Sequence, residues 1–169
     1  MKYAYAPVLL GIALLLGGCG DETHVHTSPP PPPPQGINDF AMIDSFGVDS
    51  GYSPNETLAI DPYVDAGLFE IFWQAQRAKP YSFYLSVSDT PYIEDSITLY
   101  DAACGPGESC NLEGYALCQY NTDFTAYCED APVVDLYELI YQVPQTLYFF
   151  GEVCGVSKCE YRRLEVEMY

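Results

Sequence analysis

Across its 169 residues the chain carries 24 Asp and Glu against 6 Lys and Arg, a formal charge of −18. Such a field repels polyanions, which excludes nucleic acid and bare anionic lipid as partners unless divalent cations bridge them; solubility, or screening in a salty habitat, accounts for the excess without an acidic binding patch. After the leader defined below, residues 37–169 suffice for one domain that buries a core, with no second linker and no internal repeat.

The first element is an export signal. Lys2 precedes an apolar run from Ala6 to Leu16, long enough for a signal-peptide core and too short for the roughly 20 apolar residues of a membrane span. Residues 1–18 therefore stand outside the fold.

The run ends in Leu16-Gly17-Gly18-Cys19, which resembles the lipobox of bacterial lipoproteins. The resemblance implies cleavage before Cys19, a diacylglyceryl group on its thiol, and usually a third acyl chain on the freed amine. Two or more chains hold a protein stably on a bilayer where one is marginal, so the implied partner is a membrane, reached without any spanning helix. In the enterobacterial version of the family an aspartate directly after the cysteine favours the inner membrane. Here that position is Gly20, with Asp21 one later, so the outer membrane is the expected address.

Residues 20–36 form a tether, GDETHVHTSPPPPPPQG. Six consecutive prolines, Pro29 to Pro34, read as a polyproline II spacer rising ~3.1 Å per residue. His24 and His26 lie in this segment with no cysteine or carboxylate cluster to complete a metal site, so neither metal nor cofactor is expected.

The domain itself reads as strands. Tyr81 to Ser88 alternates with period two, placing Phe83, Leu85 and Val87 on one face, and Leu164, Val166 and Met168 repeat the pattern at the C-terminus. Further strands are expected at Phe40 to Phe46, Leu68 to Ala75, Ser96 to Tyr100, Tyr115 to Tyr120 and Leu147 to Val153; Val133 to Tyr141 suggests a short helix or 3₁₀ turn instead. Turn formers separate these segments, including Gly105-Pro106-Gly107 and Asn121-Thr122-Asp123. The expected fold is an all-β, antiparallel β-sandwich of jelly-roll or immunoglobulin-like type. Trp73 precedes every cysteine of the domain, so the Cys, Trp, Cys order of true immunoglobulin domains fails.

With Cys19 assigned to lipid, six cysteines remain, the even number expected of an exported, disulfide-stapled domain. Cys154 and Cys159 bracket a short turn between two strands, and residues facing across such a hairpin stand within disulfide range. By similar logic Cys118 and Cys128 would close a hairpin turning near Asn121 to Asp123, and Cys104 with Cys110 the Gly105-Pro106-Gly107 loop, although these four could exchange partners.

Residues 37–169 contain no histidine, which removes serine–histidine and cysteine–histidine catalysis and every histidine-bearing metal centre. Adjacent carboxylates such as Glu94 and Asp95, or Glu129 and Asp130, leave a glycan hydrolase as an alternative, but with 24 acidic residues such pairs arise by chance. Tyrosine is the unusual abundance. Tyr84, Tyr100, Tyr115 and Tyr120 lie in strand-like segments, where exposed rings could stack on sugars or anchor a protein; alternatively, tyrosine simply suits a pleated, half-wet surface. The expected function is that of a membrane-anchored, non-catalytic envelope protein that binds a protein or glycan, with a glycan hydrolase or a structural accessory subunit as alternatives.

Overall fold

The computed structural model describes residues 36–169; the export signal, Cys19 and the proline run lie outside the described residues. Ten strands run in chain order: β1 Ile37–Ile43, β2 Leu58–Ile60, β3 Leu68–Ala75, β4 Tyr81–Ser88, β5 Ile97–Cys104, β6 Glu113–Tyr120, β7 Thr125–Cys128, β8 Val134–Asp135, β9 Gln145–Cys154 and β10 Cys159–Met168. They form two five-stranded sheets, ordered β1-β3-β6-β7-β8 and β2-β10-β9-β4-β5. Two 3₁₀ turns, Asp65–Gly67 and Ile93–Asp95, are the helical elements among the described residues. None of the described helices is long and apolar enough to cross a membrane.

Period-two sequence becomes a two-faced strand because successive side chains point to opposite sides of a sheet. Strands β3 and β4 span the expected residues to both ends. Phe69, Ile71 and Trp73 of β3 face Phe83, Leu85 and Val87 of β4, all buried between the sheets. The indole of Trp73 stacks flat on Phe83 at 3.8 Å, and its Nε1 donates to the Tyr81 hydroxyl at 3.2 Å. Across the sandwich Phe69 meets Phe149 edge-on at 5.8 Å. Leu147, Val153, Val166 and Met168 complete the core from β9 and β10.

Three expectations need correction. The first strand stops at Ile43 rather than Phe46, because the buried carboxylate of Asp44 turns the chain: its Oδ1 accepts from the N–H of Phe46 and of Val48 at 2.8 Å, and its Oδ2 from Ala59 at 2.7 Å. The second sheet is mixed rather than wholly antiparallel, since β2 runs parallel to β10, pairing Leu58 with Val166 and Ile60 with Met168. Finally, Val133 to Tyr141 is only in part the short helix or 3₁₀ turn expected: Val134 and Asp135 pair with β7, and only the single turn that follows fits it, with Leu139 and Ile140 donating to the Leu136 carbonyl. Asp135 accepts from Tyr137 N–H and Gln145 reaches back to the Leu139 carbonyl, so side chains satisfy groups that further helical turns would otherwise claim.

All three expected disulfides form: Cys104–Cys110, Cys118–Cys128 and Cys154–Cys159. The last two join residues directly opposite one another on paired strands.

The registers define two ends. Gly36 meets Gln76, whose N–H donates to its carbonyl at 2.9 Å, so the chain enters the domain at the end that also carries loops 76–80, 105–112 and 155–158. The opposite, distal end carries loops 44–57, 61–67, 89–96, 121–124 and 136–144.

Candidate functional site

Strand β6 builds the site. It pairs with β3 along its whole length but with β7 only at Cys118 to Tyr120, so the start of β6, Glu113 to Ala116, forms an open margin of its sheet. Gly114 lies opposite Trp73 there, on the inner face. A Cβ at Gly114 would fall 1.9 Å from the indole Cζ2, so the missing side chain is what lets the indole lie over this position. Tyr115 turns outward beside Phe72, ring centroids 5.1 Å apart, while Tyr100 of β5 approaches the Trp73 indole from the other sheet at 6.3 Å.

Two clefts open on either side of this margin. One, of about 460 Å³, is lined by Phe72, Trp73, Tyr100, Tyr115, Glu113 and Glu129, together with the wall Ser109, Cys110 and Gly114. The other, of about 190 Å³, shares Phe72, Trp73, Glu113 and Gly114 and adds Asp39 and Gln74. Because they share one wall the two clefts adjoin, and together they make up the groove along the start of β6, with rings as walls and carboxylates at intervals. None of the residues lining either cleft is basic.

The polar groups are held in place. Glu129 follows β7 with φ +49°, a left-handed conformation uncommon for a residue with a Cβ, and its N–H donates to the Leu117 carbonyl at 2.9 Å. That turn brings Glu129 into the same cleft as Tyr100. Burial, then the charge and hydrogen bond of Glu129, push the Tyr100 pKa up. Tyr115 is also raised, by desolvation first and then by Glu70 and Glu129. Gln74 Nε2 donates to Glu113 Oε1 at 3.0 Å. Each carboxylate keeps acceptor capacity, since two oxygens offer about four lone-pair sites.

Of the four tyrosines singled out from sequence, Tyr100 and Tyr115 meet in this groove. Tyr84 is elsewhere, half-buried on the outer face of the second sheet, between Asp101 and Glu152. Tyr120 is a core residue rather than a surface one, only 1% exposed. Parity separates it from Tyr115: five positions apart on one strand, the two must face opposite sides. Phe72 and Trp73 stand in the sequence only as strand residues and Glu113 carries no signal there, because adjacency in sequence does not show which side chains meet across strands.

Tyr120 carries a testable oddity. Its hydroxyl is buried without a hydrogen-bond partner, and its pKa is pushed up to about 12 by burial, then by Asp123 and Asp61. With a folded-state pKa above the ordinary value of about 10, stability is full below pH 10, where the hydroxyl is neutral in both states, and is lost as pH rises from about 10 through 12, because the unfolded chain ionises first. Tyr120→Phe is therefore expected to leave stability at pH 7 unchanged or slightly higher, and to shrink the alkaline loss between about pH 10 and 12; urea unfolding across that range measures both.

Among the described residues, one grouping of three possible metal ligands occurs, Glu152 with Cys154 and Cys159. Both sulfurs are consumed in a disulfide, which leaves a single carboxylate. A larger distal cleft, about 770 Å³, is lined by Phe124, Tyr137, Glu138, Ile140, Tyr141, Gln142 and Val143. It is built on loops, whereas the groove along β6 sits on paired strands that fix ring positions, the better basis for a specific site. No protein-family model matches the chain, and no curated protein matches it.

Proposed function

We propose that the chain is an exported lipoprotein held on the bacterial envelope through Cys19, with the outer membrane as its address, and that its β-sandwich is a non-catalytic module binding an envelope glycan in the groove along β6. The observation that carries the binding role is the convergence of Phe72, Tyr100 and Tyr115, backed by the buried Trp73, on a groove edged by Glu113, Glu129 and Asp39. Aromatic faces stack on the C–H faces of sugar rings, and carboxylates accept from their hydroxyls. Two adjoining clefts offer room for neighbouring units of an oligomer. A glycan is favoured over a protein because a standard protein interface needs a broad complementary surface of about 800 Å² per partner, whereas a groove suits a narrow ligand.

The test is titration of the isolated domain with a panel of neutral, acidic and amino-sugar oligosaccharides, followed by NMR chemical shifts. Saturable shifts at Tyr100, Tyr115 and Glu113 are expected, together with at least a tenfold loss of affinity in Tyr115→Ala at unchanged thermal stability, since this ring is 45% exposed. Shifts confined to other surfaces, or no response to any sugar, would remove the binding reading. One observation favours a hydrolase as the second reading: Glu113 and Glu129 both line the cleft of about 460 Å³, and glycoside hydrolysis uses such a pair of carboxylates. Release of reducing ends from the same panel, abolished in Glu129→Gln, would establish it.

A further inference from the structure

The charge of the groove narrows its ligand class, an inference that rests on the glycan-binding reading above. We propose that the groove selects an oligosaccharide with free, protonated amino groups, that is, a deacetylated amino sugar, over neutral, N-acetylated or acidic sugars.

Three carboxylates, Asp39, Glu113 and Glu129, are spaced along the two adjoining clefts, with no basic side chain among the lining residues to offset them. Glu113 already accepts one hydrogen bond from a neutral donor, Gln74, and Glu129 lies near enough to Tyr100 to push its pKa up. Neither neutral neighbour cancels the charge of its carboxylate. A sugar hydroxyl added to such an oxygen makes an ordinary hydrogen bond, whereas an ammonium makes a charge-assisted one about twice as strong. The rings act in the same direction, because the negative face of an aromatic ring attracts a cation lying over it. Phe72, Tyr100 and Tyr115 therefore supply stacking for the pyranose and a favourable potential for its amine, over a floor formed by the buried Trp73. A uronic acid or a phosphorylated sugar meets repulsion from all three carboxylates. An N-acetyl group removes the charge and brings a carbonyl acceptor to a wall that lacks a basic donor.

Calorimetry on the folded domain with the trisaccharides of glucosamine, N-acetylglucosamine and glucose tests this. Glucosamine trisaccharide is expected to bind at least tenfold tighter than the other two at low salt, and to lose much of that advantage at 0.5 M NaCl as screening sets in. Glu129→Gln and Glu113→Gln should each erase most of the preference. Glu138→Gln, a charge change at the distal cleft, should leave it intact; an equal loss in that variant would mean diffuse attraction to an acidic protein and would overturn the proposal. Equal binding of the neutral or N-acetylated trisaccharide would overturn the cationic preference while leaving glycan binding standing. Absence of binding by all three sugars would count against both. A lysine-rich peptide that binds more tightly than the glucosamine trisaccharide, and displaces it from Tyr115, would overturn the proposal in favour of a protein partner.

Discussion

Gly67→Ala is expected to cost the domain about 4 kcal/mol or more, enough to leave much of the protein unfolded. Gly67 has φ +68°, and a Cβ there would fall 2.0 Å from the backbone oxygen of Tyr120 and 3.1 Å from Pro62 Cα. Backbone atoms of a paired strand cannot swing away as the end of a flexible side chain can. The preceding residues offer little slack, for Asp65 and Ala66 already hold φ +46° and +55°, and a run of left-handed residues is itself costly without glycine. The control is Gly107→Ala. Its φ is +92° but nothing lies within 4 Å of the added carbon, so only the conformational penalty of about 1 kcal/mol should appear. Urea unfolding of the two variants separates the clash from the backbone preference; equal losses would mean the Tyr120 contact is not the constraint.

The second large effect concerns the disulfides, which are not equivalent. Removing Cys118–Cys128 by paired alanine substitution should cost about 3–5 kcal/mol, and removing Cys154–Cys159 about 2 kcal/mol. Loop-closure entropy alone favours the former only slightly, about 2.7 against 2.1 kcal/mol for sequence separations of 10 and 5. Burial makes the larger difference. Cys118 and Cys128 are at most 1% exposed and pack within the core, whereas Cys159 is exposed, so the first pair also leaves a void where two sulfurs were. Denaturant midpoints of the two double variants give the order directly. A larger loss at Cys154–Cys159 would contradict the burial argument.

Much of the fold was legible because its strands alternate cleanly. Leu68 to Ala75 and Tyr81 to Ser88 announce both their limits and their inner faces, and Cys154–Cys159 follows from cysteines placed across a tight turn, whereas the other four cysteines leave their partners open until the strands are placed. Strand β2, by contrast, is three residues, too short for alternation to register, and its parallel partner lies more than a hundred positions away at β10. The end of β1 escaped for a local reason: the sequence Asp44-Ser45-Phe46 does not show that Asp44 will take three backbone N–H groups. Half of the groove was visible in Tyr100 and Tyr115. Its other half depends on Trp73 leaning over a glycine on the neighbouring strand and on Glu129 taking a left-handed turn, neither of which has a signal at the level of residue type. Strand parity was available, and it separates Tyr115 from Tyr120 without any structure.

The account as a whole turns on where the seven sulfurs go, and intact-mass and non-reduced peptide mass spectrometry of the protein taken from its own cell envelope reads them together. The expected result is a chain beginning at Cys19, heavier by a diacylglyceryl group and further acylation, with Cys104–Cys110, Cys118–Cys128 and Cys154–Cys159 as its only crosslinked peptides. A mature chain that still begins at Met1, or free thiols across the folded domain, would contradict it.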